Sequence, residues 1–468
     1  MKSAKTLLGM LAILAFGACT FTACDDDDDP SFETATVSNT ELLSVLKDAK
    51  YGLTFNENNE LVLDDAALAI TSLDLSGTKI SADALAGLSV LPNLTEVNLA
   101  NNGYGDTFDF ANLPAQITAI DLTGNEIYNY DNLVKVTVAE NGDETVDNLR
   151  TITKLYLPNE AKNNIAQLMR FYRQNKTAIE DGTMDVKMAN SDGDLEVYNT
   201  LREIPDEVLR AYLNGSDTFS ELFDGDKIDI SKHLSNAQKV NSIYLNEWFV
   251  TDFSKLANLD GLQYIVNNPY WEGTYLTMAF SSEIALPRLS IGSTVTTVII
   301  ENADASMGFD LADANSLYYI SLTSVSGIES VNLSSNPVWG QRGADVEDDA
   351  MLGSRLILLD CTDVAEVKIP AVETLRANEV RLEYLTSLKS LDLSAIQMVT
   401  TLAIGDLASN ADLKYPVLKE YGVYKCTYFA CSTATYELES TKTFVATYKD
   451  NMKSDNLNCS KNSAASWE

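Results

Sequence analysis

The chain has 468 residues, 45% of them hydrophobic, with 68 acidic and 33 basic residues and a formal net charge of −35. The length allows two or three domains, and the hydrophobic content excludes global disorder. The acidity argues against nucleic acid as a partner, because phosphate binding requires a basic face, and it disfavours direct binding to anionic membrane surfaces.

The first residues have the composition of a secretory signal. Lys2 and Lys5 precede the apolar stretch TLLGMLAILAFGA, which is too short to remain a membrane-spanning helix. Cys24 follows, and five aspartates come directly after it. The sequence therefore predicts a signal peptide over residues 1–23. It also predicts an acidic tether over residues 24–36, which stays extended because neighbouring aspartates repel one another.

The residues FTAC, ending at Cys24, resemble the lipobox of bacterial lipoproteins, and the aspartates resemble the surface-export signal of Bacteroidota lipoproteins. The resemblance implies cleavage before Cys24 and its acylation by chains such as palmitate. It also implies anchoring in the outer membrane, exposed at the cell surface, with membrane contact through this lipid only. Two alternatives stay open: cleavage before Cys19, in FGAC, and an ordinary secreted protein with a charged linker.

An aliphatic pattern, LxxLxL, recurs along most of the chain. It first occurs in ITSLDLSGT, LTEVNLANN and ITAIDLTGN, which begin at Ile70, Leu94 and Ile117. In the xLxL part, alternate side chains of a short strand point into a core and the others point to solvent. Further copies begin at Ile152, Val240, Val295, Leu317, Ile328, Val364, Leu388 and Val399. Some copies follow after only 11 residues, which predicts flat repeats with extended segments on both sides.

This pattern resembles the leucine-rich repeat, LxxLxLxxN, and its degenerate forms in bacterial surface proteins. In that family the asparagine hydrogen-bonds backbone groups of the adjacent turn. Asn102, Asn125 and Asn336 occupy this position here, whereas most copies lack the asparagine. The resemblance implies a leucine-rich-repeat solenoid of α/β to mainly β class. An unrelated β-sandwich is the alternative.

Two helical patterns precede the copies and predict two units. SNTELLSVLK contains a capping box from Ser38 to Glu41, and IPDEVLRAYL places Pro205 and Asp206 at a helix start. Each is followed by a polar stretch and then by an LxxLxL strand. We therefore predict leucine-rich-repeat units over residues 37–158 and 203–405. In each, the helix caps the apolar face of the first repeat.

The remaining segments are assigned from their periodicity. Residues 159–202 are predicted to connect the units through a helix and a hairpin that turns at Asp192-Gly193. The buried face of that helix is predicted to contain Ile165, Leu168, Met169 and Tyr172. Residues 139–148 are predicted to form a polar surface loop. Residues 406–468 are predicted to form a strand-like, aromatic C-terminal cap and a tail.

Four cysteines lie beyond the signal and the acylation site. Cys361 lies at an inward strand position, which predicts a buried thiol. Cys426 and Cys431 would face opposite sides of one continuous strand, so each would need another partner. Cys459 is a candidate partner for either, and the pairing stays open.

The sequence contains no pattern typical of catalysis. Its one histidine, His233, has no nucleophile motif near it, and it lacks phosphate-binding loops and dinucleotide fingerprints. Nothing singles out a pair among the 68 acidic residues for acid–base chemistry. DGDKID and SDGDLE weakly resemble calcium loops but lack EF-hand spacing. We therefore predict a non-enzymatic protein with no cofactor and no metal site.

Surface side chains are the remaining functional candidates. The residues that flank the inward leucines would face solvent on the concave sheet. They are Asp74, Glu96, Asn98, Asp121, Lys154 and Tyr156 in the first unit, and Tyr244, Tyr319, Ser321, Asn332, Glu366, Lys368 and Asp392 in the second. Exposed aromatic rings beside carboxylates and amides suit sugar stacking or protein hot spots. The predicted ligand contacts are Trp248, Tyr244, Tyr264, Trp271 and Tyr319; alternatively, the aromatic rings near the second cap fill the core.

These features predict a monomeric, lipid-anchored cell-surface protein that binds an extracellular protein or glycan through its repeat faces. One alternative is a component that captures or processes glycans in an outer-membrane nutrient-uptake system. Another is a structural envelope protein.

Overall fold

The computed structural model describes residues 32–139, 144–159, 164–190, 192–232, 234, 242–341, 353–372, 374–419, 428–448 and 457–459. The signal peptide, Cys24 and the five aspartates lie outside the described residues, as do Cys426 and His233. The described chain is α/β, with many strands in mostly parallel sheets and few helices, in agreement with a mainly β class. No helix among these residues is both long and apolar enough to cross a membrane.

The described helices are α1 (Thr40–Leu46), α2 (Asp65–Leu68), α3 (Ile165–Glu180), α4 (Glu207–Asn214), α5 (Gln263–Val266), α6 (Thr433–Tyr436) and α7 (Glu439–Tyr448). Short 3-10 helices cover Ala49–Tyr51, Ala82–Val90, Phe110–Asn112, Ser220–Leu222 and Phe253–Lys255. The first strands are β1 (Thr34–Ala35), β2 (Leu61–Val62), β3 (Ser72–Asp74), β4 (Glu96–Asn98), β5 (Thr107–Asp109), β6 (Ala119–Asp121), β7 (Asn129–Asp131), β8 (Val134–Val138), β9 (Glu144–Asn148), β10 (Lys154–Asn159), β11 (Asp185–Ala189) and β12 (Leu195–Val197).

The later strands are β13 (Leu201–Arg202), β14 (Phe223–Asp224), β15 (Lys227–Asp229), β16 (Ile243–Leu245), β17 (Tyr275–Ala285), β18 (Leu289–Ser290), β19 (Thr297–Asp304), β20 (Phe309–Asp310), β21 (Tyr319–Ser326), β22 (Ser330–Asn332), β23 (Arg355–Leu359), β24 (Glu366–Lys368), β25 (Leu375–Glu383), β26 (Ser390–Asp392), β27 (Ile396–Gly405), β28 (Asp412–Lys414), β29 (Tyr428–Cys431) and β30 (Leu457–Cys459).

A six-stranded sheet covers the N-terminal core, the buried apolar cluster between Val37 and Tyr198. Its order is β3-β4-β6-β10-β11-β12, and only the last pair is antiparallel. Neighbouring strands are in register at Leu73, Val97, Ile120, Leu155 and Val186, all of them buried. Because side chains alternate along a strand, their sequence neighbours face outward.

A nine-stranded sheet covers the C-terminal core, the buried cluster that runs from Ile204 to Val445 and includes Ile165. Its order follows the sequence, β16-β17-β19-β21-β23-β25-β27-β29-β30, and all its pairs are parallel. One row of inward side chains crosses it in register and is fully buried: Ile243, Leu276, Val298, Ile320, Leu356, Val380, Leu402 and Phe429.

A second layer of short parallel pairs, β18-β20, β22-β24 and β26-β28, contacts the same core. The copies of LxxLxL that begin at Ile328 and Leu388 form strands of this layer. The copies that begin at Leu317 and Val399 form strands of the nine-stranded sheet. The spacing of 11 residues therefore reflects alternation between two layers, and the expected extended segments are present on both sides.

Buried asparagines bond the turns that follow the first strands. The Asn125 amide donates to the carbonyl oxygens of Leu99 and Leu122 at 3.1 and 2.8 Å. Its Oδ1 accepts the backbone N–H groups of Asn102 and Tyr104 at 3.0 and 3.1 Å. Asn102 in turn donates to the Leu99 carbonyl at 2.9 Å. The two asparagines thereby satisfy backbone groups of successive turns.

Each core begins with a helix, and one of the two predicted helix starts is wrong. Asp206 caps α4 as predicted, accepting the N–H groups at the helix start. The cap of α1 is Asn39 and not Ser38, because the Asn39 side chain accepts the Leu42 N–H at 2.9 Å. Glu41 is then directed away from its own helix and accepts the Ser81 N–H at 2.7 Å.

A tyrosine hydroxyl bonds one backbone group of the first strand in each of the two large sheets. Tyr51 donates its hydroxyl proton to the carbonyl oxygen of Asp74, in edge strand β3, at 2.9 Å. Tyr212, in α4, accepts the N–H of Tyr244, in edge strand β16, at 3.0 Å. An edge strand presents backbone groups without a neighbouring strand, so both tyrosines satisfy groups that the sheets leave open.

The segment predicted to connect the units packs within the N-terminal core. The predicted face of α3 is buried, and β11 and β12 form the predicted hairpin. However, β11 also extends the first sheet, and α3 contributes Leu168 and Phe171 to the N-terminal core. The prediction of a loop over residues 139–148 is wrong for Glu144–Asn148, which pairs antiparallel with β8, and residues 140–143 lie outside the described residues.

The C-terminal prediction of strands is wrong over residues 433–448, which form α6 and α7. Ser432 caps α6, and the ring of Phe444 lies against Tyr415 and Phe429 at centroid distances of 4.7 and 5.3 Å. The threonines and tyrosines that suggested a strand therefore lie on helices that cover the end of the C-terminal core.

Cys361 is a buried thiol, as predicted, and burial raises its pKa to about 11. Cys431 is also buried, and the register places its backbone opposite that of Cys459 in the neighbouring strand. A bond from Cys459 to Cys431 or Cys426 stays a prediction.

Replacement of Asn125 by alanine tests the buried amide. It removes the side-chain partner of the Leu122 carbonyl oxygen and of two backbone N–H groups, whereas the Leu99 carbonyl keeps its bond from Asn102. We therefore expect the free energy of unfolding to fall by about 2–3 kcal/mol in urea denaturation. Asn58→Ala, at an exposed asparagine, is the control and should cost less than about 0.5 kcal/mol. Equal small losses in both variants would contradict the role given to Asn125.

Candidate binding surface

The nine-stranded sheet has an outward face, formed by the residues that alternate with its buried rows. One outward row contains Tyr275, Thr297, Tyr319, Arg355, Glu379 and Thr401. The next contains Tyr244, Thr277, Ile299, Ser321, Ile357 and Arg381. The predicted contacts Tyr244 and Tyr319 both lie on this face and are partly exposed.

An aromatic cluster lies on β16, on β17 and in the turn after β16; it consists of Tyr244, Phe249 and Tyr275, whose rings stack, and Trp248, the chain neighbour of Phe249. The ring of Tyr244 stacks on Phe249 at 5.0 Å and on Tyr275 at 6.4 Å between centroids. Trp248 is 83% exposed and Phe249 62% exposed. Large apolar side chains grouped on the surface make this cluster a candidate binding site.

The turn after β16 fixes the cluster in place. The Oδ1 atom of Asn246 accepts the Trp248 N–H at 3.0 Å, and the Asn246 carbonyl oxygen accepts the N–H groups of Phe249 and Val250. Val250 is buried and holds the end of the turn against the core. Trp248 and Phe249 are therefore presented by an ordered turn.

Two of the five predicted contacts are not on this surface. Tyr264, in α5, is 5% exposed and Trp271 is 4% exposed, and both belong to the C-terminal core. The alternative, that rings near the second cap fill the core, holds for these two residues. The cluster instead contains Phe249 and Tyr275, which were not among the five. Tyr275 directly precedes the inward Leu276 of β17, so strand alternation was the signal that could have identified it.

Charged side chains on the outward face bond to one another. Arg355 lies 4.0 Å from the Glu379 carboxylate, and its guanidinium group lies 5.1 Å from the centre of the Tyr319 ring. Arg381 and Glu383 form an ion pair at 2.9 Å. The cations here are balanced by carboxylates, so the aromatic cluster is the part of the face suited to a ligand.

Several predicted surface residues close turns. In these residues a side-chain oxygen accepts the backbone N–H of the residue two positions later, at 2.9–3.0 Å. They are Asp74, Asn98, Asp121, Asn332 and Asp392. In Asp74 the hydrogen bonds from the Ser76 side chain and backbone hold the pKa of the carboxyl below its usual value. Four predicted residues also lie in the second layer and not on the outward face: Asn332, Glu366, Lys368 and Asp392.

The outward residues of the first sheet are linked internally. Lys154 bonds Glu96 at 2.7 Å, reaching past the small side chain of Ala119 on the strand between them. The Tyr156 ring lies between Lys154 and Lys187, and its hydroxyl group donates to Asp185 at 2.7 Å. Lys154, Glu96 and Tyr156 on this face are therefore engaged in internal contacts.

Within the described ranges, no group of three or more His, Cys, Asp or Glu side chains is placed to hold a metal ion. No protein-family model matches the chain, and the search of curated proteins finds no match.

Because Trp271 is buried and Trp248 is exposed, we expect their substitution by alanine to differ strongly in its effect on stability. Trp271→Ala removes a core side chain and should lower the free energy of unfolding by about 3–5 kcal/mol. Trp248→Ala, at a side chain that is 83% exposed, should change it by less than about 0.5 kcal/mol. Thermal and urea denaturation measure both, and a large loss in Trp248→Ala would contradict the surface assignment.

Proposed function

We propose that this chain is a lipid-anchored cell-surface protein that binds an extracellular protein or glycan through the outward face, without catalysis. The observation that supports binding is the aromatic cluster, an exposed Trp and Phe beside two partly exposed tyrosines on an otherwise acidic protein. Exposed aromatic residues that cluster on one face are typical of binding hot spots and sugar platforms.

The proposed architecture is a leucine-rich-repeat solenoid of two units, each with a helical N-terminal cap. Three features support it. Parallel strands follow the sequence order across the nine-stranded sheet, and buried asparagines bond successive turns of the first unit. A tyrosine near the start of each core also bonds one backbone group of the first strand of its sheet. In a solenoid, the outward positions of successive strands form one continuous surface for a long ligand.

A paired substitution tests the outward face. Trp248→Ala with Phe249→Ala removes the most exposed rings, and we expect at least a tenfold loss of affinity, equivalent to about 1.4 kcal/mol, for the cognate ligand. The ligand is identified by glycan-array binding of the full chain and by cross-linking on intact cells. Val372→Ala, at another exposed apolar residue, is the control, and unchanged binding in the paired variant would contradict the proposal.

The lipid anchor has its own test. Cys24→Ala removes the proposed acylation site, and we expect the protein to leave the membrane fraction, because stable anchoring requires the acyl chains. Cys19→Ala is the matched control, since it alters the competing cleavage site, and the protein should stay in the membrane fraction. A Cys24→Ala variant that remains membrane-bound would overturn the lipidation proposal.

A further inference from the structure

Strand β12 (Leu195–Val197) forms an open edge of the six-stranded sheet. It pairs antiparallel with β11, and in the described part of the chain no strand pairs with its other side. Its apolar side chains are exposed, Leu195 by 40% and Val197 by 60%. An edge strand that carries exposed apolar side chains is suited to pairing with a strand of another chain.

The hydrogen bonds to β11 show which backbone groups of β12 are available. The N–H groups of Asn190 and Tyr198 donate across the ladder at 2.9 Å, to the carbonyl oxygens of residues 194 and 186. Bonded positions alternate in an antiparallel ladder, so residues 194, 196 and 198 bond β11. The N–H and C=O groups of Leu195 and Val197 therefore point away from the sheet, where a further strand would lie.

The side chains of β12 alternate between the two faces of the sheet. Val197 is opposite Lys187, and Lys187 lies beside Tyr156 in the outward row. Val197 and Leu195 are therefore outward, and Glu196 points to the opposite face. A strand added to this edge would place two of its side chains beside Leu195 and Val197 and the side chain between them beside Glu196.

The surroundings of this edge are acidic. Asp192 and Asp194 are exposed in the turn before β12, and Glu196 is exposed within the strand. Lys187, the cation of β11, lies 3.6 Å from Asp185, which balances its charge. Opposite charges on facing positions stabilise a strand pair and like charges destabilise it. The edge therefore favours a cationic side chain opposite Glu196.

We propose that β12 binds an extended, basic segment of a partner protein, which adds to the sheet as an antiparallel strand. The backbone of an extended peptide repeats N–H and C=O groups at the spacing that Leu195 and Val197 present, whereas a glycan has no such repeat. The segment has apolar residues opposite Leu195 and Val197 and a lysine or arginine opposite Glu196. This site lies on the first sheet, so it does not depend on the aromatic cluster.

A second copy of this chain fits the edge poorly. Antiparallel pairing of two β12 strands, with Leu195 opposite Val197, would place the two Glu196 side chains opposite each other. It would also join two chains that each have a formal net charge of −35. Like charges directly opposite destabilise a strand pair, so the expected occupant is a different, basic protein.

Nuclear magnetic resonance of the full chain, labelled with ¹⁵N at leucine and valine, tests the edge. The probe is the pentapeptide Lys-Val-Lys-Val-Lys, blocked at both ends. Its valines match Leu195 and Val197, and its central lysine matches Glu196. We expect the amide signals of Leu195 and Val197 to shift on titration. The same peptide N-methylated at both valines keeps its charge but lacks the donors that face β12, and should bind at least tenfold more weakly.

Two variants test the protein side of the ladder. Val197→Pro removes an N–H that points away from β11, which an edge strand tolerates, and should weaken the probe at least tenfold, read from the Leu195 signal. Val197→Thr keeps this N–H and is the matched control. Glu196→Lys places a like charge opposite the central lysine and should also weaken binding. Thermal denaturation checks that all three variants are folded.

Four results would overturn the proposal. The first is that the lysine peptide shifts neither amide signal at about 5 mM. The second is that the N-methylated peptide binds equally well, since attraction would then come from net charge alone. The third is that Val197→Pro or Glu196→Lys, when folded, binds the probe as tightly as Val197→Thr does. The fourth is a dimer of the native chain in analytical ultracentrifugation that Val197→Pro dissociates, which would assign the edge to a second copy.

Discussion

The structure depends on the in-register stacking of aliphatic side chains from one parallel strand to the next. In the nine-stranded sheet a single row of eight fully buried side chains runs from Ile243 to Phe429. Burial of each such side chain contributes about 2 kcal/mol, but only when a neighbouring strand covers it. No strand is therefore stable alone, and the first strand of each sheet needs a cover. Tyr51 and Tyr212 belong to these covers.

The same requirement for buried apolar side chains limits where a binding surface can lie. Inward positions must be apolar, so polar and charged residues are restricted to the outward positions, the turns and the junction between the cores. The aromatic cluster occupies an outward position of β16, an outward position of β17 and the turn between them. The two cores meet at α3, which contributes Ile165 to the C-terminal core and Leu168 to the N-terminal core.

The LxxLxL pattern predicted most of the inward residues, because burial on a parallel strand imposes a strict alternation. Ile70 and Ile369 are only half-buried, and Val240 lies outside the described residues. It did not predict the exposure of aromatic rings: Trp248 and Trp271 lie 23 residues apart in similar composition, yet one is exposed and the other buried. Their difference depends on long-range packing around α5. The sequence also predicted the wrong N-cap for α1, because both Ser38 and the neighbouring Asn39 are suitable cap residues and the structure uses Asn39. Over residues 433–448 the threonines and tyrosines favoured a strand, but they lie on α6 and α7.

The distance across the outward face tests the stacked parallel order most directly. Tyr275 and Thr401 lie in the same outward row, five strand spacings apart, which corresponds to about 24 Å between their Cα atoms. Site-specific spin labels at these two positions, measured by double electron–electron resonance, should give one narrow distribution near this distance after allowance for the label. A broad distribution, or a mean above about 35 Å, is incompatible with five strand spacings and would contradict the order described here.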